Sequence, residues 1–292
     1  MLNDRFDVRA VFNPTVRLAE NIASEFQADV VDGFRAMVSR CDIDAVMVLQ
    51  QTWLKQLPIV AAARCGKAIY WADGYDLSTV ADAGLIKHFE DSGVSMMIEL
   101  PYRFAAATLR LKELIATRIG TPELIICHRN VDPDDHVEWL QLIDWCRYIA
   151  GIDDATVTSR AHRDSSGESL YRNLVIVDRR QNASVHIYGG RHLSRHALGA
   201  ECAVAATHQT PSSLQVICQN GVAFIDPPHS LVWFDRGGRT IESLDTEMPI
   251  GQLLLSQFHR RVTGLLRNVT DINDLHASAK ILTAATRCEA AT

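Results

Sequence analysis

The stretch Ile43–Gly74 constrains the fold of this chain more than any other part of the sequence. Its apolar run Ala45–Leu49 has no helical period, which predicts a strand buried on both faces. The alanine-rich segment Leu57–Ala63 predicts a helix, and the glycine at position 66 predicts its end. Ala68–Trp71 then predicts a second strand. A strand–helix–strand unit of this kind is typical of a doubly wound parallel sheet, in which ligands bind beyond the carboxyl ends of the strands.

The same alternation of strands and helices extends over the first hundred residues, with further strands predicted at Phe6–Phe12, Asp29–Val31 and Val94–Leu100. Beyond Glu123 the pattern changes to short strands that are separated by Gly, Pro, Asn and Asp turns, with a helix near Val137–Ala150 and two more at the end of the chain. The sequence therefore predicts an α/β parallel sheet in residues 1–103 and an open-faced, mainly antiparallel α+β sheet in residues 104–292.

The composition argues against several classes of function. A net charge of −6 and a pI near 6.0 argue against a nucleic-acid partner, which needs a basic face. No apolar window approaches about 18 residues, so no membrane span is predicted, and the opening sequence lacks the apolar segment of a signal peptide. The seven cysteines include no C-x-x-C pair, which is typical of reduced thiols. A cytoplasmic protein is expected.

Five segments follow one another in a characteristic order, namely Phe6–Pro14, Asp42–Leu49, Ala61–Ala68, Tyr102–Leu114 and Ile143–Gly151. Their order and spacing resemble the glucose–fructose oxidoreductase / inositol dehydrogenase / MocA family over about residues 7–290. The resemblance implies a nicotinamide-binding, Rossmann-like domain followed by an open-faced sheet domain. It also implies a homodimer or homotetramer that is formed through that sheet.

The nucleotide-binding positions depart from the pattern of the family. No G-x-G occurs in the sequence, whereas backbone N–H groups reach a pyrophosphate through a glycine-rich turn. The first strand and its phosphate-binding helix have no counterpart, so the Rossmann-like sheet is expected to be incomplete. This strand lies in the middle of the sheet, so either the remaining strands close up or the reading frame begins further upstream. The acidic residue that holds the adenosine ribose in the family corresponds to Asn13.

The catalytic positions depart from the pattern as well. By the resemblance, the lysine of the Glu-Lys-Pro motif corresponds to Asp73. The histidine of the Asp-x-x-x-His motif corresponds to Gln141, which stands three residues before Asp144, and the aspartate of that motif corresponds to Val137. An amide does not titrate near neutral pH and cannot serve as a general base.

We expect the loops beyond the strands to converge on one cleft. The candidate ligand-binding residues are Asn13, Gln50, Gln51, Trp53, Trp71, Asp73, Tyr102, Arg103, His136, Gln141 and Asp144. Tryptophans beside amides and an acid suit a sugar or polyol ring. Trp53 and Trp71 have a second interpretation, in which they fill the space of an absent cofactor. His136 either enters the cleft in place of the lost base or lies exposed at a helix start.

No metal site is predicted. His192 and His196 have the i, i+4 spacing of two ligands on a helix, but two glycines precede them and no H-E-x-x-H pattern occurs. A polar loop is the favoured interpretation of this segment.

Two functions are the main interpretations, and an unrelated non-redox activity in the same cleft, such as that of a lyase or isomerase, also remains open. The first is a catalytically degenerate, oxidoreductase-like pseudoenzyme that binds a small ligand or acts as an oligomeric scaffold, with no cofactor. The second is an NAD(P)-dependent sugar or polyol oxidoreductase with a misassigned start or relocated catalytic groups, in which Asp73 or His136 acts as acid or base. The joint loss of the glycine turn, the lysine and the histidine favours the first.

Overall fold

The structure is a computed structural model, and it describes residues 5–50, 53–72, 75, 77–167, 169–180, 183–190, 213–226, 229–266 and 270–290. The chain divides into two compact units. Unit 1 comprises residues 1–99 with 251–276, and unit 2 comprises residues 100–250 with 277–292. Residues 251–276 were predicted to belong to the second domain, whereas their contacts lie with unit 1. The division into a nucleotide-binding type and a substrate type of domain stays a prediction.

Unit 1 is built from alternating strands and helices. Its elements are β1 (Ala10–Val11), α1 (Val16–Phe26), β2 (Asp29–Val30), α2 (Phe34–Val38), β3 (Ala45–Val48), α3 (Leu57–Arg64), β4 (Ala68–Trp71), α4 (Leu77–Val80), α5 (Ala83–Ser92) and β5 (Met96–Ile98). All its strand pairs are parallel, as predicted. β4 is buried along its whole length, as its uninterrupted apolar sequence indicates.

The parallel strands of unit 1 form two sheets rather than the single one that the sequence predicts. β1 pairs with β2 in a two-stranded sheet, and β3, β4 and β5 follow one another in a three-stranded sheet. The strand predicted at Phe6–Phe12 is correspondingly short, since within the part of the chain that the structure describes only Ala10–Val11 of this segment pairs with another strand. A strand extends only as far as a neighbouring backbone satisfies its N–H and C=O groups. Closing up of the remaining strands, one of the two alternatives left open by the sequence, does not occur among the described residues.

Unit 2 contains one large sheet with helices on one side. Its elements are α6 (Pro101–Phe104), α7 (Ala106–Leu114), a π-helical turn (Ile115–Ile119), β6 (Pro122–Arg129), α8 (His136–Ala150), β7 (Ala155–Arg163), β8 (Ser169–Asp178), β9 (Ser184–Gly190), β10 (Ser213–Cys218), β11 (Gly221–Asp226), β12 (Ser230–Asp235) and β13 (Gly238–Ser243). Two helices close the described chain, α9 (Ile250–Val262) and α10 (Ile272–Ala290). None of the described helices is long and apolar enough to cross a membrane.

The eight strands of unit 2 lie in the order β13-β12-β11-β10-β6-β9-β8-β7. Only the β6–β9 pair is parallel, which confirms the prediction of a mainly antiparallel sheet. β7 and β13, which form the two edges, were not predicted from the sequence. Their sequences, ATVTSRAHR and GRTIES, are polar and charged because an edge strand is exposed and needs protection from further pairing.

Helix α8 is fixed at both ends by its sequence. The Asp135 carboxylate accepts hydrogen bonds from the backbone N–H groups of Val137 and Glu138, both at 3.1 Å, which satisfies two of the free donors at the helix start. Gly151 ends the helix with a φ of 71°, a left-handed conformation that glycine adopts without strain.

Candidate functional site

The described residues of unit 2 bring several of the predicted site residues together where the short helix α6 packs against α8. Gln141 lies three residues from Glu138 on one side and three from Asp144 on the other, so these side chains share one face of α8. We refer to the group as the α6–α8 polar cluster, whose members are Tyr102, Arg103, Arg129, Glu138, Gln141 and Asp144.

Tyr102 is the centre of the outer part of this cluster. Its hydroxyl donates a hydrogen bond to Glu138 Oε1 at 2.7 Å and accepts one from Arg129 Nη2 at 2.5 Å. Its ring stacks on Trp145, with 5.0 Å between ring centroids, and the Arg129 guanidinium lies 5.0 Å from the ring centroid. Burial, followed by the nearby Glu138 carboxylate, raises the pKa of Tyr102 well above its ordinary value. The phenol is therefore held as a hydrogen-bond donor.

The α6–α8 polar cluster contains a buried ion pair. Arg103 Nε and Nη2 donate to the two Asp144 carboxylate oxygens at 2.7 and 2.5 Å, and the two side chains are only 13% and 1% exposed. This two-point geometry is the strongest form of an arginine–carboxylate contact. Tyr148 is one turn beyond Asp144, and the cations of Arg103 and Lys112 each lie 4.9 Å from the centroid of its ring. The ion pair fixes α6 against α8.

The pKa of Lys112, beside this ion pair, is lowered from its ordinary value. Burial is the larger cause, and the positive charge of Arg103 adds to it. Its Nζ donates to the backbone carbonyl of Tyr148 at 3.1 Å, close to the carboxyl end of α8. A cation in that place stabilises the last turn of a helix. We therefore assign Lys112 a structural role.

The cluster combines hydrogen-bonding groups with a carboxylate outside the buried ion pair, that of Glu138, whose Oε1 accepts the hydrogen bond of the Tyr102 hydroxyl. The amide of Gln141 donates and accepts hydrogen bonds but does not titrate. Tyr102 remains protonated, and Arg103 and Asp144 neutralise each other in their mutual contact. The cluster is thus a set of hydrogen-bonded polar side chains beside the stacked rings of Tyr102 and Trp145, of which Trp145 is 1% exposed.

The predicted site residues of unit 1 have separate environments. Asn13 Oδ1 accepts a hydrogen bond from the Thr15 N–H at 2.8 Å, so it supports the turn that leads into α1. Gln50 is exposed directly after β3. Trp71 is 1% exposed and packs edge-to-face on Tyr75, which makes it a core residue. Trp53 is 79% exposed, and the interpretation that it fills the space of a cofactor stays a prediction. Gln51 and Asp73 lie outside the described residues.

His136 is the first residue of α8 and is exposed, as one of its two interpretations predicts. Arg129, Glu138 and Trp145 were not predicted as parts of the cluster. Glu138 and Trp145 do carry a signal in the sequence, because they stand three residues before and four after Gln141 on one helix. Arg129 carries none, since it comes from the end of β6 and meets Tyr102 only through the fold.

The described residues contain no group of three or more His, Cys, Asp or Glu side chains that could hold a metal ion. His192 and His196 lie outside the described residues.

The described residues of unit 1 do not fit the pyrophosphate of a dinucleotide. The turn from β1 to α1 is Phe12-Asn13-Pro14-Thr15, which has no glycine and loses one N–H to the proline. Gly33 is the one glycine among the described residues that join a strand of this unit to the next helix. A pyrophosphate needs several converging N–H groups at a helix start. The described strand–helix turns of unit 1 therefore do not supply the cradle that a nicotinamide cofactor requires.

No protein-family model matches this sequence, and no characterised protein matches it by sequence. Solved structures match its fold closely. An oxidoreductase from Agrobacterium radiobacter in complex with NAD+, L-tartaric acid and magnesium superimposes with a TM-score of 0.78, over 97% of this chain and 88% of its own, at 14% identity. The fold is that of this class of oxidoreductase.

Two further structures agree. Aldose-aldose oxidoreductase from Caulobacter crescentus, complexed with glycerol, has a TM-score of 0.79 over 97% of this chain and 89% of its own, at 14% identity. UDP-N-acetylglucosamine 3-dehydrogenase from Acidithiobacillus ferrooxidans has a TM-score of 0.78 over 97% and 90%, at 12% identity. The neighbours are oxidoreductases of the glucose–fructose oxidoreductase / inositol dehydrogenase / MocA type, which confirms the predicted resemblance at the level of the fold.

Proposed function

We propose that this oxidoreductase-like chain binds a small hydroxylated molecule of the sugar or polyol class and does not itself transfer a hydride. The observation that carries the proposal is the α6–α8 polar cluster. The cluster keeps fixed hydrogen-bonding groups beside the stacked rings of Tyr102 and Trp145, while an amide stands where the fold's enzymes are expected to carry the proton-transferring base.

The fold neighbours support the ligand class. One of them is complexed with glycerol and another with L-tartaric acid, and both are small molecules with several hydroxyl groups. Such molecules present donors and acceptors at short spacing, and Tyr102, Glu138 and Gln141 offer complementary groups on one face. We expect weak binding of such a ligand. Each neutral hydrogen bond contributes only about 0.5–1.5 kcal/mol once the hydrogen bonds to water that it replaces are taken into account.

Calorimetric titration of the purified chain tests both parts of the proposal. We expect saturable heats with one or more sugars or polyols from a panel, and none with NAD(H) or NADP(H) up to millimolar concentration. Turnover is followed in parallel by the absorbance of the reduced nicotinamide. Robust NAD(H)-dependent oxidation of any member of the panel would contradict the degenerate interpretation.

The substitution Tyr102→Phe is expected to weaken ligand binding by about 2- to 10-fold, the value of one or two lost neutral hydrogen bonds. The aromatic ring and its stacking on Trp145 are retained, so the melting temperature reports whether the cluster remains folded. Tyr171→Phe is the matched control, because Tyr171 is an exposed tyrosine on β8 in the same unit. Equal loss of affinity in both variants would place the ligand elsewhere.

A second candidate function is NAD(P)-dependent oxidation of a sugar or polyol, with Asp73 or His136 as acid or base. The observation that favours it is the fold likeness to a protein solved with NAD+. Micromolar binding of NAD or NADP would shift the conclusion to this candidate. The variants Asp73→Asn and His136→Ala then test the relocated groups, and unchanged turnover in both would exclude these two residues as the acid or base.

We also propose that the chain forms a homodimer or homotetramer through the face of the unit 2 sheet that its helices leave uncovered. Val177, Phe224, Phe234 and Ile241, on four strands of that sheet, are exposed large apolar side chains. A contiguous apolar face of this kind favours association. Light scattering is expected to give a mass of two or four chains of 32.4 kDa, and a monomer at high concentration would contradict the proposal.

A further inference from the structure

A small cavity opens at one end of the large sheet of unit 2. Its volume is about 230 Å³, and it is lined by Arg118, Asn220, Asp235 and Arg236. Arg118 comes from the π-helical turn that follows α7, and Asn220 from the turn between β10 and β11. Asp235 is the last residue of β12, and Arg236 follows it. Pockets for drug-sized ligands have volumes of about 300–1,000 Å³, so this cavity suits a smaller molecule or a single chemical group.

The cavity and the α6–α8 polar cluster lie at opposite ends of β6. Pro122, the first residue of this strand, pairs with Cys218, which stands two residues before Asn220. Arg129 of the cluster is the last residue of the same strand. At about 3.3 Å per residue, the two ends of this eight-residue strand are about 23 Å apart. The cavity is therefore distinct from the ligand site proposed above.

The Arg118 guanidinium is held at this cavity by two contacts. Its Nε donates a hydrogen bond to Asp235 Oδ2 at 2.6 Å, and its Cζ lies 4.4 Å from the centroid of the Trp233 ring. Its Nη1 and Nη2 atoms have no hydrogen-bond partner among the described residues. A guanidinium has five N–H donors, so four of them are left for another group. A planar fork that is fixed in this way loses little side-chain freedom when it binds an oxyanion.

The lining of the cavity has an excess of hydrogen-bond donors and of positive charge. Both oxygens of its carboxylate, Asp235, are engaged, Oδ2 by Arg118 and Oδ1 by the N–H of Gly237 at 2.7 Å. The hydrogen bond from Arg118 lowers the pKa of Asp235, so the carboxylate stays ionised and balances the charge of Arg118. The charge of Arg236 is left over. In the described part of the chain, neither Arg236 nor the side-chain amide of Asn220 has a hydrogen bond or an ion pair.

Gly120 and Gly237 leave room for the polar groups of the cavity. A Cβ at position 120, where φ is 78°, would lie 3.0 Å from Nδ2 of Asn220. A Cβ at position 237 would lie 3.1 Å from Oδ1 of Asp235 and 3.4 Å from Nη2 of Arg118. These distances are shorter than the roughly 3.5–4.0 Å of a favourable contact. A larger residue at either position would therefore displace a group that lines the cavity.

The backbone at Arg118 is unusual. The residues Ile115–Ile119 form a π-helical turn that continues directly from α7. Such turns are rare, and they occur frequently at functional sites. Their hydrogen bonds join residues i and i+5, so the side chains leave the helix in directions that differ from those of an α-helix. The turn is a second feature, besides the cavity itself, that indicates a binding site here.

We propose that this cavity binds the phosphate group of a small molecule, with the free Nη groups of Arg118, the guanidinium of Arg236 and the amide of Asn220 as donors. A carboxylate presents two oxygens, which one guanidinium fork satisfies. A phosphate group presents three strong acceptor oxygens and carries about 1.5 to 2 negative charges at neutral pH. Donors from three separate segments of the chain match such a group and exceed what a carboxylate requires.

Titration of the purified full chain with inorganic phosphate tests this site. The ionic strength is kept constant with sodium chloride, so that the screening of surface charges does not change during the titration. NMR spectra of the backbone amides and of the arginine Nε–H groups follow the binding. We expect saturable shifts at Arg118, Asn220 and Arg236, with a dissociation constant in the millimolar range or below. Arg129, in the α6–α8 polar cluster, is expected to show no comparable shift.

A matched pair of variants separates the cavity from the general charge of the surface. Arg236→Gln is expected to weaken phosphate binding by about 5- to 20-fold, the effect of one lost charge-assisted hydrogen bond at an exposed place. Arg239→Gln removes the same charge from an exposed residue of β13 that does not line the cavity, and is expected to change the affinity by less than about 2-fold. Both variants are expected to keep the melting temperature, since both side chains are exposed.

Asn220→Asp is a further variant at the cavity. It places a second carboxylate beside that of Asp235 and is expected to abolish measurable phosphate binding, because like charges at short distance repel. A hexose phosphate and adenosine monophosphate are titrated in the same way. Tighter binding of either than of inorganic phosphate supports the site and shows whether a sugar phosphate or a nucleotide carries the group.

Four outcomes overturn the proposal. Equal loss of affinity in Arg236→Gln and Arg239→Gln would show that phosphate responds only to the net charge of the surface. Shifts of the same size with sodium chloride alone, or an equal affinity for acetate, would show that the cavity does not select a phosphate group. The absence of a saturable shift over the whole titration would show that it binds none. None of these results bears on the proposed sugar or polyol site, because that site lies at the other end of β6.

Discussion

Replacing Asp144 by alanine is expected to lower the free energy of unfolding by about 3–5 kcal/mol, which is typical when one partner of a buried ion pair is removed. Arg103 would keep its charge at a side chain that is only 13% exposed, without the carboxylate that receives two of its hydrogen bonds. The loss of this pair also releases α6 from α8. Urea unfolding, followed by far-UV circular dichroism, measures the change.

Two further variants show whether the buried pair is the cause. The double variant Arg103→Met with Asp144→Leu removes both charges and is expected to recover most of the lost stability, since an apolar pair of similar volume often equals a buried ion pair. Asp91→Ala removes the carboxylate of the exposed Lys87–Asp91 pair in α5 and is expected to cost less than about 0.5 kcal/mol. Equal costs for Asp91→Ala and Asp144→Ala would contradict the structural role of the pair.

The second large effect is expected at Trp71, in unit 1. Trp71→Ala removes a side chain that is 1% exposed and packs on Tyr75 at 5.6 Å between ring centroids. Truncating a buried tryptophan costs about 3–5 kcal/mol, because both its burial and the packing around it are lost. The midpoint of urea unfolding is expected to fall accordingly.

Trp53→Ala is the matched control for Trp71→Ala. Trp71 is the last residue of β4, Trp53 lies in the segment that follows the neighbouring strand β3, and both residues were predicted to contact a ligand. Trp53 is 79% exposed, so its removal is expected to change the free energy of unfolding by no more than about 0.5 kcal/mol. A cost above about 2 kcal/mol would show that Trp53 is packed in solution, as the interpretation of a filled cofactor space requires.

The spacing of apolar residues and the local composition of the sequence predicted most of the helices and strands. β4 is apolar at every position and is buried at every position, because a parallel strand between two helical layers has no polar face. Helix α8 was predicted within one residue at its start, since Asp135 supplies a cap and Gly151 supplies an end. Signals of this kind lie within a few residues of the element that they define, so they can be read locally.

Only the tertiary structure shows which strands form the edges of the sheets and which side chains meet in the α6–α8 polar cluster. β7 and β13 escaped prediction because an edge strand carries polar residues that resemble a loop. The division of unit 1 into two sheets also follows from pairing, which depends on whether a neighbouring backbone is present. Trp53 and Trp71 are the same residue type near the ends of two adjacent strands, yet one is exposed and the other buried.

The candidate site was likewise predicted in part from the sequence and in part only from the structure. The sequence placed Tyr102, Arg103, Gln141 and Asp144 in the site, through the resemblance, and identified Gln141 as an amide where a base is expected. Only the structure joined Arg129 to Tyr102 across 27 residues and Arg103 to Asp144 across 41. Chemical type is a property of each residue and can be read in order along the chain. Hydrogen-bond partners and burial depend on distance in space, which the chain acquires only when it folds.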